Sequence, residues 1–284
     1  MKNAFKFCFL RRSRCALLLA LTIASRDFVT AALYQPGDIV TNLPFIARQQ
    51  FTRPDGTVVP AGAEVHIKDF SGRVVFLEWF AVWCPYCVAA APQVRTNISD
   101  WYAARGGNPY GVPVLHIAVN QESAYYYQTQ TDSFAAQQGF NPIFNDYGVP
   151  GSNPVRFAFQ TSGQPIFVVI NCVTNSPSHQ PWQVLVNYLG YGQRDFDATL
   201  AGFRSIINTV QPAIIAPQLN NPHRIGADFE FNFQTQPGRS YRVLSSTNFV
   251  SWTTLQTLNG STNPSTFRHT NAPPASNFYR VVTP

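Results

Sequence analysis

The sequence is poor in charged residues, which make up 12% of its 284 positions, about half the share in an average soluble protein. Hydrophobic residues nevertheless account for 45% and aromatic residues for 14%, so the chain has enough apolar surface to bury a core. These proportions exclude an intrinsically disordered chain. The length allows about two domains.

A basic patch is also lacking, although the formal net charge is +6. Six of the 20 basic residues fall within residues 1–31, where Asp27 is the only acid, and the rest of the chain carries 14 basic and 13 acidic residues. Proteins that bind nucleic acids concentrate Lys and Arg on one surface to contact phosphates. We therefore expect no nucleic-acid partner.

Cysteine is scarce, with five residues: Cys8, Cys15, Cys84, Cys87 and Cys172. A secreted scaffold held together by disulfides would have more of them, in an even number. The scattered histidines and the absence of a second C-x-x-C or an H-x₃-H spacing argue against a metal site. No Ser–His–Asp order, glycine-rich phosphate loop or pair of catalytic carboxylates stands out.

The first 31 residues have the pattern of a secretory signal peptide. A basic stretch from Lys2 to Arg14 precedes the apolar residues 15–24, and small side chains occur at Val29-Thr30-Ala31. We expect cleavage near Ala31 and an exported protein that is periplasmic, extracellular or held at the cell surface. The alternative is an uncleaved anchor, although the apolar stretch is shorter than the about 20 residues of a membrane-spanning helix.

Strand and helix patterns alternate through residues 36–210. The predicted strands are residues 73–80, 112–120, 165–171 and 183–189. The predicted helices are residues 88–104, 121–138 and 195–210. This alternation predicts an α/β domain with a central mixed sheet flanked by helices, which we assign to residues 32–212. Asp195 is the expected N-cap of the last helix.

The composition changes after the α/β domain. Residues 213–222 contain two prolines and two asparagines and are predicted to form a linker. Residues 223–284 show no helical period, and Phe229, Phe231 and Phe233 alternate with polar residues as in a half-buried strand. We expect a small all-β, sandwich-like module.

The sequence Cys84-Pro85-Tyr86-Cys87 follows a predicted buried strand and begins a predicted helix. Free N–H groups and the helix dipole favour the thiolate of Cys84 there, and thiolate is the species that attacks disulfides. Cys87 lies one turn further, where it can attack a mixed disulfide formed by Cys84. Pro85 suits the first helical turn, and Trp83 and Tyr86 would form an apolar rim for an unfolded or extended substrate. The pattern predicts redox chemistry by the cysteine pair itself, with no bound cofactor.

A single carboxylate, Glu78, interrupts the otherwise apolar strand 73–80. Burying a carboxylate is costly, and burial favours its protonated form. We interpret Glu78 as the base that takes the proton of Cys87 when that thiol attacks. The alternative is a strand at the sheet edge, where Glu78 reaches water.

Residues 74–87 closely resemble the active-site segment of thioredoxin-like proteins. The segment most resembles that of the exported thiol–disulfide oxidoreductases of the TlpA/ResA type, which are related to the AhpC/TSA superfamily. Residues 67–73 resemble the lead-in that those proteins carry before this segment. Pro92 falls where they have a proline that kinks the helix. The resemblance spans residues 36–210 and implies a thioredoxin-like fold and exchange of disulfides with protein substrates. A peroxiredoxin would need Thr or Ser where this chain has Ala81.

The resemblance also implies a cis-proline that faces the cysteines. We expect it to be Pro165, with Pro154 as the alternative. The family more often has Thr or a β-branched residue where this chain has Gln164, whose backbone would pair with substrate. The Pro-Tyr dipeptide is the one that glutaredoxins use, so the direction of electron flow stays open, as does an electron donor or acceptor in the membrane.

The rival interpretation is a non-catalytic surface or protein-binding module on a thioredoxin scaffold. We expect Cys172, His116 and His179 to be structural. The C-terminal module resembles small β-modules at the ends of exported bacterial proteins and is either a packing or anchoring appendage or a binder of a glycan or surface polymer. Trp252 and Tyr241 are its candidate binding aromatics, one of which we expect in the core.

Overall fold

The protein is represented by a computed structural model that describes residues 33–122, 127–146, 148–149, 154–191, 195–273 and 277–284. The predicted signal peptide, residues 1–31, lies outside the described residues. Within the described ranges, no helix combines the length and apolar composition that a membrane span requires.

A seven-stranded mixed sheet organises the first part of the chain. The strands before residue 190 are β1 (Pro44–Ala47), β2 (Phe51–Thr52), β3 (Val58–Val59), β4 (Glu64–His66), β5 (Val74–Phe80), β6 (Val114–Asn120), β7 (Ile143–Asn145), β8 (Ile166–Asn171) and β9 (Gln183–Leu189). The sheet order is β4-β1-β7-β6-β5-β8-β9, and β2 and β3 form a separate pair. The β5–β6 and β6–β7 pairs are parallel and the others are antiparallel, so the predicted mixed sheet is confirmed.

Strand β5 lies inside this sheet, between β6 and β8, and all seven of its side chains are buried. Val75, Leu77 and Trp79 pack into the hydrophobic cluster on one face. Phe76 and Phe80 pack on the other, against residues of the helix that follows the strand. Because side chains alternate along a strand, Glu78 is directed to this second face.

In the described part of the chain, four α-helices accompany the sheet: α1 (Pro85–Val94), α2 (Asp100–Ala103), α3 (Gln128–Gln138) and α4 (Phe196–Ile207). A π-helical turn, Arg95–Ser99, joins α1 to α2, so the predicted helix over 88–104 is a composite that starts earlier, at Pro85. Pro92 lies inside α1 and has no N–H donor, and prolines and π-turns are common sources of helix irregularity.

The start of α4 agrees with the prediction, whereas the start of α3 does not. Asp195 caps α4 as expected, because its Oδ1 accepts a hydrogen bond from the N–H of Ala198 at 2.9 Å. The helix predicted over 121–138 begins only at Gln128. Gln121 directly follows β6, and its N–H donates to the carbonyl oxygen of Phe80 at 3.1 Å.

The C-terminal part consists of additional β-sheets. Its strands are β10 (Leu219–Ile225), β11 (Asp228–Phe233), β12 (Ser240–Ser246), β13 (Thr253–Asn259), β14 (Ser265–His269) and β15 (Phe278–Val282). They form two antiparallel three-stranded sheets, β10-β11-β14 and β13-β12-β15. Phe231 and Phe267 from the first sheet share one hydrophobic cluster with Tyr241 and Val243 from the second, as in a small sandwich.

The predicted linker, residues 213–222, is partly wrong. Strand β10 begins inside it, and Leu219 pairs with Phe233 of β11. The Pro and Asn content that suggested a linker instead marks a register shift before His223, where Asn221 has a φ of 50°. Proline within a sheet is found at edges and bulges, and β10 is an edge strand.

Candidate active site

The two cysteines of the C-x-x-C sequence lie where β5 leads into α1. Cys84 is the extended N-cap residue of α1, and Pro85 occupies the first helical turn. Cys84 is 4% exposed, whereas Cys87, one turn further, has no exposed surface. Both are free thiols, and Cys84 is the more accessible of the two.

The expected proline lies beside the first cysteine. The Gln164–Pro165 peptide bond is cis, and Sγ of Cys84 lies 4.0 Å from the carbonyl oxygen of Gln164, the outer limit of a thiol hydrogen bond. Pro154, the alternative, directly precedes the 3₁₀ turn Val155–Ala158 instead.

Cys87 is held in its thiol form by its surroundings. Burial raises its pKa well above that of a free cysteine, and the neighbouring Cys84 and the charge of Glu78 raise it further. A hydrogen bond with the backbone of Ala81 opposes these effects without outweighing them. Since the attacking species is the thiolate, Cys87 needs a base.

Glu78 is fully buried on the interior strand β5, which excludes the edge position considered above. It pairs in register with Ala118 of β6 and Phe167 of β8. Its Oε2 lies 2.9 Å from Nε2 of His116, at ion-pair distance. The angle at this contact is not that of a hydrogen bond, and neither carboxylate oxygen of Glu78 has a hydrogen-bond partner among the described residues.

His116, expected to be merely structural, therefore belongs to the site. Its other ring nitrogen, Nδ1, lies 2.7 Å from Oγ of Ser99. The sequence did contain a usable signal. His116 is opposite Phe76 in the parallel β5–β6 pair, two residues from Glu78, so the two ionisable residues share one buried face of adjacent strands.

The two aromatic side chains predicted to form an apolar rim lie at the surface. Trp83 is 53% exposed and Tyr86 is 56% exposed, although both flank nearly buried cysteines. Glu122, which the sequence analysis missed, lies close to this rim. Burial raises the pKa of Glu122, and a hydrogen bond with the Trp83 side chain and the charge of Arg156 offset part of this effect.

Two further candidates lie outside this arrangement. Cys172 is fully buried at the end of β8, and burial raises the pKa of its thiol. His179 contacts Oγ1 of Thr209 through Nε2 at 2.7 Å, and burial lowers its pKa. Within the described ranges, no group of three or more His, Cys, Asp or Glu side chains is placed to hold a metal ion.

The two aromatic residues singled out in the C-terminal module have different surroundings. Tyr241 is fully buried in the core, and its hydroxyl accepts a hydrogen bond from the N–H of Gln236 at 2.8 Å. Trp252 is partly exposed, and the centroid of its ring lies 4.1 Å from the guanidinium carbon of Arg280. Tyr241 is thus the core residue of the pair.

No protein-family model matches the chain, and no curated protein matches it. Among solved structures, a thiol:disulfide interchange protein from Bacteroides sp. is similar over 62% of this chain and 91% of its own, with 10% identity and a TM-score of 0.39. StoA from Bacillus subtilis is similar over 58% and 97%, with 14% identity and a TM-score of 0.37. A secreted thiol-disulfide isomerase from Corynebacterium glutamicum is similar over 61% and 93%, with 17% identity and a TM-score of 0.36. At such low values, function has to be argued from the residues of this chain.

Proposed function

We propose that this protein is a thioredoxin-like thiol–disulfide oxidoreductase that exchanges disulfides with protein substrates through Cys84 and Cys87. The observation that carries the proposal is the difference between the two sulfurs. Cys84 sits at a helix N-terminus beside the cis peptide bond of Pro165, whereas Cys87 is buried behind it next to a buried carboxylate.

In the first step, the Cys84 thiolate attacks one sulfur of a substrate disulfide. A Cys84–substrate disulfide forms, the substrate S–S bond breaks, and the other substrate sulfur leaves as a thiolate. The N-cap position favours this role because the unpaired N–H groups of the first helical turn stabilise an anion.

In the second step, Glu78 takes the proton of Cys87 as its sulfur attacks Sγ of Cys84. The Cys84–Cys87 bond forms, the mixed disulfide breaks, and the substrate leaves with two electrons from the pair. Run in reverse, the oxidised pair accepts two electrons from a substrate dithiol. The Cys84–Cys87 disulfide is the redox group of this mechanism.

Substrate binding is assigned to the exposed surface around Cys84. Trp83 and Tyr86 offer apolar contact area. Pro85 is in the first helical turn, where the absence of its own N–H costs no helical hydrogen bond. The backbone of Gln164, next to Pro165, would pair with an extended substrate segment, the way peptides add to an exposed strand edge.

We further propose that the protein acts after export, on protein dithiols or disulfides outside the cytoplasm. Its electron donor or acceptor would be another protein, which can be one bound to the membrane. The support is the N-terminal signal pattern in residues 1–31. The C-terminal module would serve as an anchoring or polymer-binding appendage. Its partly exposed Trp252 is the residue to test.

The second candidate is a non-catalytic binding module on the same scaffold. The 4% exposure of Cys84 favours it, because a nucleophile must be reached by its substrate. This candidate predicts a cysteine pair that is indifferent to mild reductants and thiol reagents.

Equilibration of the pair in glutathione redox buffers, read by the mass added on alkylation, separates the two. An oxidoreductase equilibrates, with a potential between about −270 mV, as in thioredoxin, and about −120 mV, as in strong oxidants. Cys84→Ser should abolish exchange, Cys87→Ser should trap mixed disulfides with substrate, and the matched control Cys172→Ser should do neither. A pair that never equilibrates, or a Cys84→Ser variant that exchanges at the native rate, would refute the proposed function.

A further inference from the structure

We propose that His116 is a positioning residue that orients Glu78 and carries the proton of Cys87 out to solvent. The inference deepens the proposed function, because it rests on Cys87 resolving a mixed disulfide and names the path by which the proton leaves. Its basis is a line of polar atoms that runs from Glu78 through both nitrogens of His116 to Ser99.

The buried position of Glu78 creates the need for such a path. A base that has taken a proton can act again only after it releases that proton. Glu78 has no exposed surface and no hydrogen-bond partner among the described residues, so direct release to water is blocked. Nε2 of His116 lies 2.9 Å from Oε2 of Glu78, close enough to take the proton once the carboxyl group turns into hydrogen-bond geometry.

The orientation of the imidazole is fixed by two aromatic rings. Phe76 and Phe140 both meet His116 edge to face, with ring centroids 5.7 Å and 5.5 Å away and interplanar angles of 81° and 88°. The neighbouring rings restrict rotation about the imidazole axis. One nitrogen therefore stays against Glu78 and the other against Ser99.

A polar cleft of about 250 Å³ lies beyond His116 and supplies the exit. Its lining includes Ser99, His116 and Phe140, and the His116 side chain is 7% exposed. The charged groups that line it are Arg95 and Asp100, which lie 3.5 Å apart and largely offset each other. Glu78 faces His116 from the sheet side, and the cleft lining from residues 138–142 contributes no titratable side chain.

The proton balance of the relay is simple. Cys87 gives its proton to Glu78 as the Cys84–Cys87 bond forms. Glu78 passes it to Nε2 of His116, while Nδ1 releases a proton to Oγ of Ser99, whose own proton goes to water in the cleft. Imidazole suits this task because it exchanges protons near neutral pH. No electrons move along this path, which returns Glu78 to its carboxylate form.

The test isolates the resolving step in the full chain. Rapid mixing of reduced protein with one equivalent of dithiobis(nitrobenzoate) should release thionitrobenzoate twice, first when Cys84 attacks and then when Cys87 resolves. His116→Gln should leave the first release unchanged and slow the second by about tenfold near neutral pH. At high pH, where the thiolate form of Cys87 becomes favourable without the relay, the two rates should converge. Ser99→Ala should show a smaller slowing of the same kind.

Several outcomes are distinguishable. His179→Gln is the matched control, because that histidine contacts Thr209 and no residue of the site, and it should leave both releases unchanged. In a His116→Gly variant, added imidazole should restore part of the second release. An unchanged second release in His116→Gln, or a slowing by one factor at every pH, would overturn the relay while leaving the proposed function intact. Absence of any release in the wild type would refute the proposed function itself.

Discussion

Asp146 provides a test of the structure that is independent of catalysis. It follows β7 and is 2% exposed. Burial raises its pKa from 3.8 to about 7, although Trp79 and Arg156 offset part of the effect. The backbone N–H of Arg156 donates to both carboxylate oxygens, at 3.3 Å to Oδ1 and 3.2 Å to Oδ2. The folded state therefore favours the protonated form of this carboxyl.

The sign of the pH effect follows from this shift. Between pH 3.8 and about 7, Asp146 carries a proton in the folded protein but has lost it in the unfolded chain. The free energy of unfolding should therefore fall as pH rises through this window. A difference of about three pKa units corresponds to about 4 kcal/mol, the largest loss that this one group can cause.

Asp146→Asn removes the titration and keeps an oxygen acceptor for Arg156. Urea unfolding followed by tryptophan fluorescence, from pH of about 4 to about 8, should give similar free energies of unfolding at the acidic end. At the basic end the variant should be the more stable, by up to about 4 kcal/mol. Asp55→Asn is the matched control, because hydrogen bonds from Thr57 lower the pKa of that exposed carboxyl. Parallel curves for wild type and Asp146→Asn across the whole range would contradict the assigned burial.

Three further predictions concern other parts of the structure. The double variant Glu78→Leu/His116→Leu should have an unchanged free energy of unfolding or one raised by about 1–4 kcal/mol, while resolution by Cys87 slows; a large loss of stability in urea would refute this. Trp83→Ala should raise KM for a protein disulfide and leave exchange with a small aromatic disulfide nearly unchanged, and equal effects on both would argue against a substrate rim. Asp195→Ala should lower the free energy of unfolding by about 1 kcal/mol through loss of the cap on α4, seen as a lower Tm by circular dichroism, whereas an unchanged Tm would contradict that role.

The parts of the fold that could be predicted are those whose cause is local. Strand β5 follows from an apolar run that only Glu78 interrupts, and the start of α4 from the capping ability of Asp195. The position of Cys84 at a helix start followed from the order of strand, C-x-x-C and helix. In each case the deciding interactions lie within a few residues of one another.

The parts that the sequence did not predict depend on pairing between distant segments. His116 lies beside Glu78 only because β6 is parallel to β5 in one register, which brings the two residues to the same face of the sheet. The predicted linker includes the first four residues of β10, because Pro222 and two asparagines outweigh the strand pattern there, and only pairing with β11 makes them part of a strand. The burial of Asp146 likewise arises from packing of the loop that contains Arg156.

The two cysteines are chemically identical, so their roles have to come from their surroundings. The N-cap position gives Cys84 unpaired N–H groups and a small exposed surface, which suit it to begin the reaction. One turn along the helix, Cys87 is enclosed by apolar side chains and faces a carboxylate, and both raise the pKa of its thiol. The same burial that delays the attack of Cys87 also makes its timing dependent on a base. Glu78 and His116 occupy this face of the sheet, so in the proposed mechanism control of the second step would lie in the strands and not in the C-x-x-C sequence itself.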